Sequence, residues 1–203
     1  MNADEILSSE DFKKCQDFHG HICPGIAIGY RAAKAGLQWY KDNGQKNDQM
    51  VAIVETGGCS ADIFQVLAGC TFGNGGLVHR DNGKQAFSLV GRKSKSGVRI
   101  VMKQGVFQPT EEKVQMIDKI INNEATKEQN EKFHDFAMKK CRAILEMPLE
   151  NLFEIKPITT SVPRNKIIEA MNVCDQCNEP TLSSKLTKGE KGLLCNECLN
   201  GTP

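Results

Sequence analysis

Four of the nine cysteines form two Cys-x-x-Cys pairs, Cys174 and Cys177 in CDQC and Cys195 and Cys198 in CNEC, with seventeen residues between the pairs. That spacing is the one expected of a four-thiolate zinc site. Each pair presents two thiolates from one tight knuckle, and Gly189 and Gly192 permit the hairpin that brings the knuckles together. A thioredoxin-like pair would need a helix start in a βαβ context, which this region lacks. Four thiolates close the coordination shell, so the expected zinc is structural. Residues 174–198 hold almost no bulky aliphatic core. The metal must therefore supply folding free energy, on the order of 10 kcal/mol.

A second constellation lies near the start of the chain. The stretch HGHICPG, residues 19–25, holds two of the four histidines. His19, His21 and Cys23 alternate, so an extended backbone would turn all three to one side. Cys59 follows a strand across Gly57-Gly58 and precedes a helix, and Pro24 suits the first position of another helix behind Cys23. Both thiols then lie at helix N-termini, where unpaired amides favour the thiolate. Asp62 stands one turn into the second helix. His19, His21, Cys23 and Cys59 are enough for a second transition-metal site, zinc or iron, with an open position. Cys23, Cys59 and Asp62 are the candidate catalytic groups. Two other readings stand beside it: thiol chemistry without metal, a histidine acting as base, and ordinary loop packing. His79 and Cys70 are outer candidates. Cys15, Cys141 and His134 read as packing residues, and the Gly-rich stretches fit tight turns better than a phosphate loop.

The elements that must hold these residues are legible in outline. Ser9 caps a short helix with Phe12, Cys15 and Phe18 on its apolar side, ending at His19-Gly20. A longer helix starts at Pro24, a turn over residues 41–49 follows, and VAIVE is a buried strand. SADIFQVLAG is a helix capped by Ser60 and closed by Gly69. GLVHRD, QAFSLVGR and GVRIVMK read as an antiparallel meander, with Asp81-Asn82-Gly83 and Ser96-Gly97 at its turns. Helices over 110–122, capped by Thr110, and over KEQNEKFHDFAMKKCRAILEM follow. In the second, Phe133, Phe136, Ala137, Cys141, Ile144 and Leu145 have helical spacing, and Pro148 stops it. LFEIKPI closes the domain. The expected organisation is an α+β domain over residues 1–158, with an antiparallel sheet packed against helices. A linker over 159–172 and a small zinc finger of treble-clef or zinc-ribbon type over 173–203 complete it.

Composition bounds the rest. The chain has 203 residues and a net charge of +1, with 26 basic and 25 acidic residues. Neither sign forms a long block, so no footprint for a nucleic-acid duplex stands out. The opening MNADEILSSEDFKK lacks the apolar core of a signal peptide, and no apolar run approaches the ~20 residues of a membrane span. A cytoplasmic location without membrane contact is expected. Thiols stay reduced there, which suits an odd number of cysteines acting as ligands or core residues.

FHGHICPGIAIGYRAA and ETGGCSADIFQVLAGCTFGNGG closely resemble the two signature stretches of the E-subunit family of formylmethanofuran dehydrogenase, over roughly residues 10–155. CDQC and CNEC match the zinc finger that some members append. The resemblance implies an α+β domain, a homodimer, and a metal-binding cleft at His19, His21, Cys23, Cys59 and Asp62. It also implies a partner: an oxidoreductase of one-carbon metabolism built on molybdenum or tungsten, which this chain would serve in an accessory or redox role. Relatives occur where that pathway does not, so a binding or assembly module, or a metallochaperone without catalysis, is the alternative. The finger would then dock a protein or, less expectedly, nucleic acid.

Overall fold

The computed structural model describes residues 2–44, 47–108, 110–163 and 168–201. The chain divides into two compact units, Met1–Pro163 and Arg164–Pro203. The expected turn over 41–49 is corrected at its start, where the helix from Pro24 continues through Asn43; that turn and the expected linker over 159–172 each include residues outside the described ones, 45–46 and 164–167.

The first unit opens with α1 (Ala3–Ser8), which has no counterpart among the expected elements, and α2 (Glu10–His19). Ser9 caps α2, accepting the Phe12 amide, and Gly20 ends it in the left-handed region at φ 91°. Phe12 and Cys15 are buried as expected, whereas Phe18 is 58% exposed. A third apolar residue at spacing of three drifts off the buried stripe, because 3.6 residues make a turn. Asp11 ties α2 to the next helix, α3 (Pro24–Asn43): its carboxylate accepts from Tyr30 Oη and Lys34 Nζ, both at 2.9 Å. Partial burial alone would raise the Asp11 carboxyl, but hydrogen bonds from Lys34, Ser9 and Tyr30 overcome it and hold the pKa at about 2.

That depressed value has a pH consequence. A carboxyl lowered on folding contributes stability that is complete above its ordinary pKa and is lost as pH falls through its folded value. Asp11→Asn is therefore expected to lower the denaturation midpoint at pH 7. The gap should close between about pH 4, the ordinary aspartate value, and about pH 2. A pH series of denaturant melts on both proteins decides it, and a gap that does not change with pH would refute the assignment.

The sheet has strand order β2-β1-β3-β4-β5. Its members are β1 (Met50–Val54), β2 (Leu77–His79), β3 (Ala86–Gly91), β4 (Ser96–Met102) and β5 (Phe153–Thr159). β1, β3, β4 and β5 pair antiparallel in succession. The expected meander is corrected at its first member: β2 does not pair with β3 but runs parallel to β1, with Ala52 opposite Leu77 and Val54 opposite His79. A parallel neighbour needs a crossover, supplied by α4 (Ser60–Ala68) and the loop after it. β3 is buried along its whole length, as befits a central strand.

Ala52, Val54, Phe87, Leu89, Val98 and Ile100 belong to one core with residues of α2, α3 and α4. Phe64 of α4 stacks on Phe87 at 5.0 Å between ring centroids. α5 (Glu111–Ile121) and α6 (Lys127–Glu146) follow β4. Ala137, Cys141, Ile144 and Leu145 of α6 are buried; Phe133 and Phe136 are only half-buried. Arg31 of α3 donates to the carbonyls of Ile144, Leu145 and Met147, satisfying acceptors that the end of α6 leaves without partners. Pro148 leads into the single turn α7 (Leu149–Leu152) and then β5. Among the described residues no helix is long and apolar enough to cross a membrane.

The second unit holds two hairpins, β6 (Met171–Val173) with β7 (Pro180–Leu182) and β8 (Thr187–Gly189) with β9 (Gly192–Leu194), then α8 (Asn196–Asn200). A helix after the second hairpin is the treble-clef arrangement of the two that the sequence allowed. Asp175 knits the pieces together. Its amide donates to Leu193 O at 2.9 Å and its Oδ2 accepts from the Leu193 amide at 2.7 Å. A Cβ at residue 192 would fall 2.2 Å from that oxygen, and φ there is +109°, so glycine is required on both counts.

Candidate metal centre

His19, His21, Cys23 and Cys59 each place one nitrogen or sulfur within 4.8 Å of all the others. Helix ends create this convergence. His19 is the last residue of α2, the left-handed Gly20 turns the chain, and Cys23 is the extended N-cap of α3. The expected alternation on an extended segment is thus corrected: a helix-to-helix corner gathers the first three residues. Cys59 arrives from a later part of the chain, after β1 and the Gly57-Gly58 turn, as the N-cap of α4. Ser60, expected as that cap, is instead the first helical residue. Its hydroxyl donates to Gly25 O at 2.7 Å, fastening α4 to α3 beside the two thiols.

Distances and chemistry fit a metal. Zinc ligands at about 2.0–2.3 Å lie about 3.3–3.8 Å apart on a tetrahedron, and Cys23 Sγ is 3.9 Å from His19 Nε2. The His19 and His21 ring centroids are 4.5 Å apart. Asp62 does not join the cluster of four. Its Oδ2 lies 2.8 Å from His19 Nδ1, on the opposite edge of the ring. A proton on Nδ1 donated to the carboxylate leaves the Nε2 lone pair facing the thiols, the usual device for orienting a metal-bound imidazole. His21 is the exposed member. Burial, and then the neighbouring His19, lower its pKa and favour the neutral, ligating ring.

The two thiols are inequivalent. A hydrogen bond from Cys59 draws Cys23 down to about 7 against the opposing effect of burial, with help from the Ile26 and Gly25 amides at the start of α3. Cys59 is pushed well up by donating that bond and by burial. A divalent ion held by both sulfurs would take the place of the hydrogen bond between them.

The other candidates fall outside the cluster. His79 is exposed at the end of β2 with its ring 3.6 Å from where a Cβ of Gly57 would sit, so it flanks the loop that delivers Cys59. Cys70 is buried, its thiol directed at the Met50 and Ala68 carbonyls at 3.5 Å. Burial pushes Cys70 and Cys15 up to about 11 and Cys141 to about 12, consistent with inert core thiols. His134 lies exposed on α6. Gln65, which sequence reasoning did not single out, donates from Nε2 to Asp62 Oδ1 at 3.3 Å. Its place three residues after Asp62 on one helix was the available signal.

In the second unit Cys174, Cys177, Cys195 and Cys198 also lie within 4.8 Å of one another by their sulfurs. The first pair brackets the turn between β6 and β7, and the second brackets the start of α8. Cys177 Sγ and Cys195 Sγ are 3.9 Å apart, and the Cys195 amide donates to Cys174 Sγ at 3.3 Å. Amides of Cys177, Cys195 and Gln176 draw Cys174 down to about 6. Burial and the neighbouring sulfurs push Cys198 up to about 12. These sulfurs can hold a metal.

A mixed α+β domain carrying a His/Cys cluster is thus followed in the chain by a four-cysteine unit, and each cluster could hold a metal ion. Residues 18–154 match the family model described as FmdE, molybdenum formylmethanofuran dehydrogenase operon. The chain belongs to that family. It is 30% identical over 199 residues to a protein of Archaeoglobus fulgidus described as a probable S-adenosyl-L-methionine-binding protein, an alignment covering 91% of this chain and 51% of the relative. The chain thus spans about half the length of that relative. A solved structure, that of a tungsten formylmethanofuran dehydrogenase FmdE-like protein from Syntrophus aciditrophicus, superposes with a TM-score of 0.64 at 26% identity. The superposition covers 98% of this chain and 96% of that one.

Proposed function

We propose that this chain is a cytoplasmic, homodimeric accessory protein for molybdenum- or tungsten-dependent one-carbon redox chemistry, with a functional metal in its first unit and a structural zinc in its second. The observation that carries the reading is the convergence of His19, His21, Cys23 and Cys59. His19 would bind through Nε2 with Asp62 as its positioning partner, while Cys23 and Cys59 would bind as thiolates. His21 is the exposed ligand, and its edge of the cluster is where a substrate group could approach. A zinc or iron ion there would supply Lewis acidity. The four cysteines of the second unit leave no place for substrate, which is why that metal is assigned a structural role.

A second reading, docking by the finger, has its own support. Ile168, Met171, Val173, Leu193 and Leu199 are all at least 41% exposed in this small unit. Apolar side chains at that density suit a protein partner better than a nucleic acid, whose recognition relies on basic residues.

Elemental analysis of the purified full chain tests the metal assignment. Two metal equivalents per chain are expected. One should be lost in Cys23→Ser/Cys59→Ser and the other in Cys195→Ser/Cys198→Ser. A single equivalent that disappears entirely with the C-terminal substitutions would remove the functional metal from the proposal.

A further inference from the structure

We propose that Gln65 is a positioning residue for the His/Cys site, acting on His19 through Asp62 and tying both to the loop over residues 69–76. The inference rests on His19 binding metal through Nε2. Asp62 has two oxygens with separate tasks: Oδ2 faces His19 Nδ1 at 2.8 Å, and Oδ1 accepts from Gln65 Nε2 at 3.3 Å. Gln65 Oε1 in turn accepts the Phe72 amide at 3.3 Å. The orientation of the Gln65 amide is thereby fixed. Reversing it would set an NH2 against the Phe72 N–H and a carbonyl oxygen against the Asp62 carboxylate, losing both bonds.

The far end of this relay is anchored. Asn74 Nδ2 donates to Gly69 O at 2.8 Å, Asn74 Oδ1 accepts the Gly76 amide at 2.8 Å, and the Asn74 amide donates to Thr71 Oγ1 at 3.1 Å. Asn74 thus closes the loop on itself and holds the Phe72 amide in place. The near end needs that anchor. The Asp62 side chain is 34% exposed against 11% for His19, so without Gln65 its carboxylate is free to turn toward water. The imidazole would then lose the partner that keeps the proton on Nδ1 and the lone pair of Nε2 toward the thiols. The relay also brings to the metal site a loop whose Phe72 ring is 75% exposed, so a molecule that moves the loop would act on His19.

The test compares the full chain with Gln65→Leu, using zinc alone as the probe. Two quantities are read: zinc affinity of the first unit by competition with a chromophoric chelator, and the His19 tautomer from two-bond proton–nitrogen NMR correlations in the metal-free protein. Gln65→Leu is expected to retain its melting temperature, bind zinc there about 3–10-fold more weakly, and show His19 as a mixture of tautomers. Asp62→Asn sets the upper scale at about 10–100-fold. Gln65→Ala removes the same two bonds with less bulk, should the leucine variant fail to fold. Wild-type affinity together with a pure Nδ1–H tautomer in the variants would overturn the role of Gln65. If the wild-type chain takes up no zinc in its first unit, the metal reading fails instead, and the tautomer measurement still decides whether Gln65 positions His19.

Discussion

Stripping the proposed zinc from the second unit, by a strong chelator or by Cys195→Ser, is expected to unfold residues 168–201 while the first unit stays folded. The buried residues there are Cys174, Leu194 and Cys195, with Leu186 and Cys198 packed against them. Three of these five are the proposed ligands, so losing the metal removes the centre of the core itself. Each sheet has two strands of three residues, and an isolated two-stranded hairpin is marginal in water. The Asp175–Leu193 bonds contribute about 1 kcal/mol each, far below the ordering entropy of the segment. Zinc binding to such a site contributes on the order of 10 kcal/mol, which decides the outcome. The first unit has its own core, built on Phe12, Phe64, Phe87 and Ile100 among others. In proton–nitrogen spectra, amide signals of residues 168–201 should collapse to unfolded positions on chelation and return with zinc, those of the first unit remaining dispersed. Retained dispersion in the finger after elemental analysis shows it metal-free would refute the claim.

What the sequence disclosed about this molecule follows the range of the forces involved. Ser9, Pro24, Gly20 and Gly69 act within one turn of their own helix, so the bounds of α2 and α4 were readable to within a residue and so was the start of α3, whereas its end, without such a signal, lies at Asn43, three residues past the expected Tyr40. Cys-x-x-Cys spacing is equally local, and so were all four cysteines of the finger. The position of β2 was not, because Asp81-Asn82-Gly83 looks like a hairpin turn wherever the next strand goes. Only the crossover through α4 sends β2 and β3 to opposite sides of β1. Ser60 had the chemistry of a cap, but a carbonyl of another helix, Gly25 O, took its hydroxyl. The same limit applies at the His/Cys cluster. Its residue types were legible, while the division of labour between Asp62 and the four donor groups, and the presence of Gln65 behind them, depends on α2 meeting α4.

The packing of α3 against α4 depends in turn on two glycines, and Gly29→Ala is expected to destabilise the first unit by about 1–3 kcal/mol and to weaken its proposed metal site. A Cβ at Gly29 would lie 2.8 Å from Ser60 Cα, 2.9 Å from Ser60 O and 2.8 Å from Ile63 Cγ1. Two of those atoms are backbone and cannot rotate aside, so α3 and α4 must separate. One turn earlier, a Cβ at Gly25 would sit 2.8 Å from Cys59 Cβ, so the face of α3 that admits α4 also admits Cys59 beside Cys23. Helix propensity opposes the loss, since alanine is better than glycine in a helix interior by about 1 kcal/mol. Gly36 separates the two effects. Its Cβ would meet side-chain rather than backbone atoms, Ile100 Cδ1 at 2.9 Å, Leu89 Cδ1 at 3.0 Å and Leu89 Cγ at 3.4 Å, and these can shift, so Gly36→Ala should be nearly neutral. The order of denaturation midpoints should be wild type and Gly36→Ala above Gly29→Ala. Zinc affinity of the first unit should fall only in the last, because separation of the helices draws Cys59 away from Cys23. A Gly29→Ala protein as stable as wild type would mean that propensity outweighs the overlap and that the helices have room to spare.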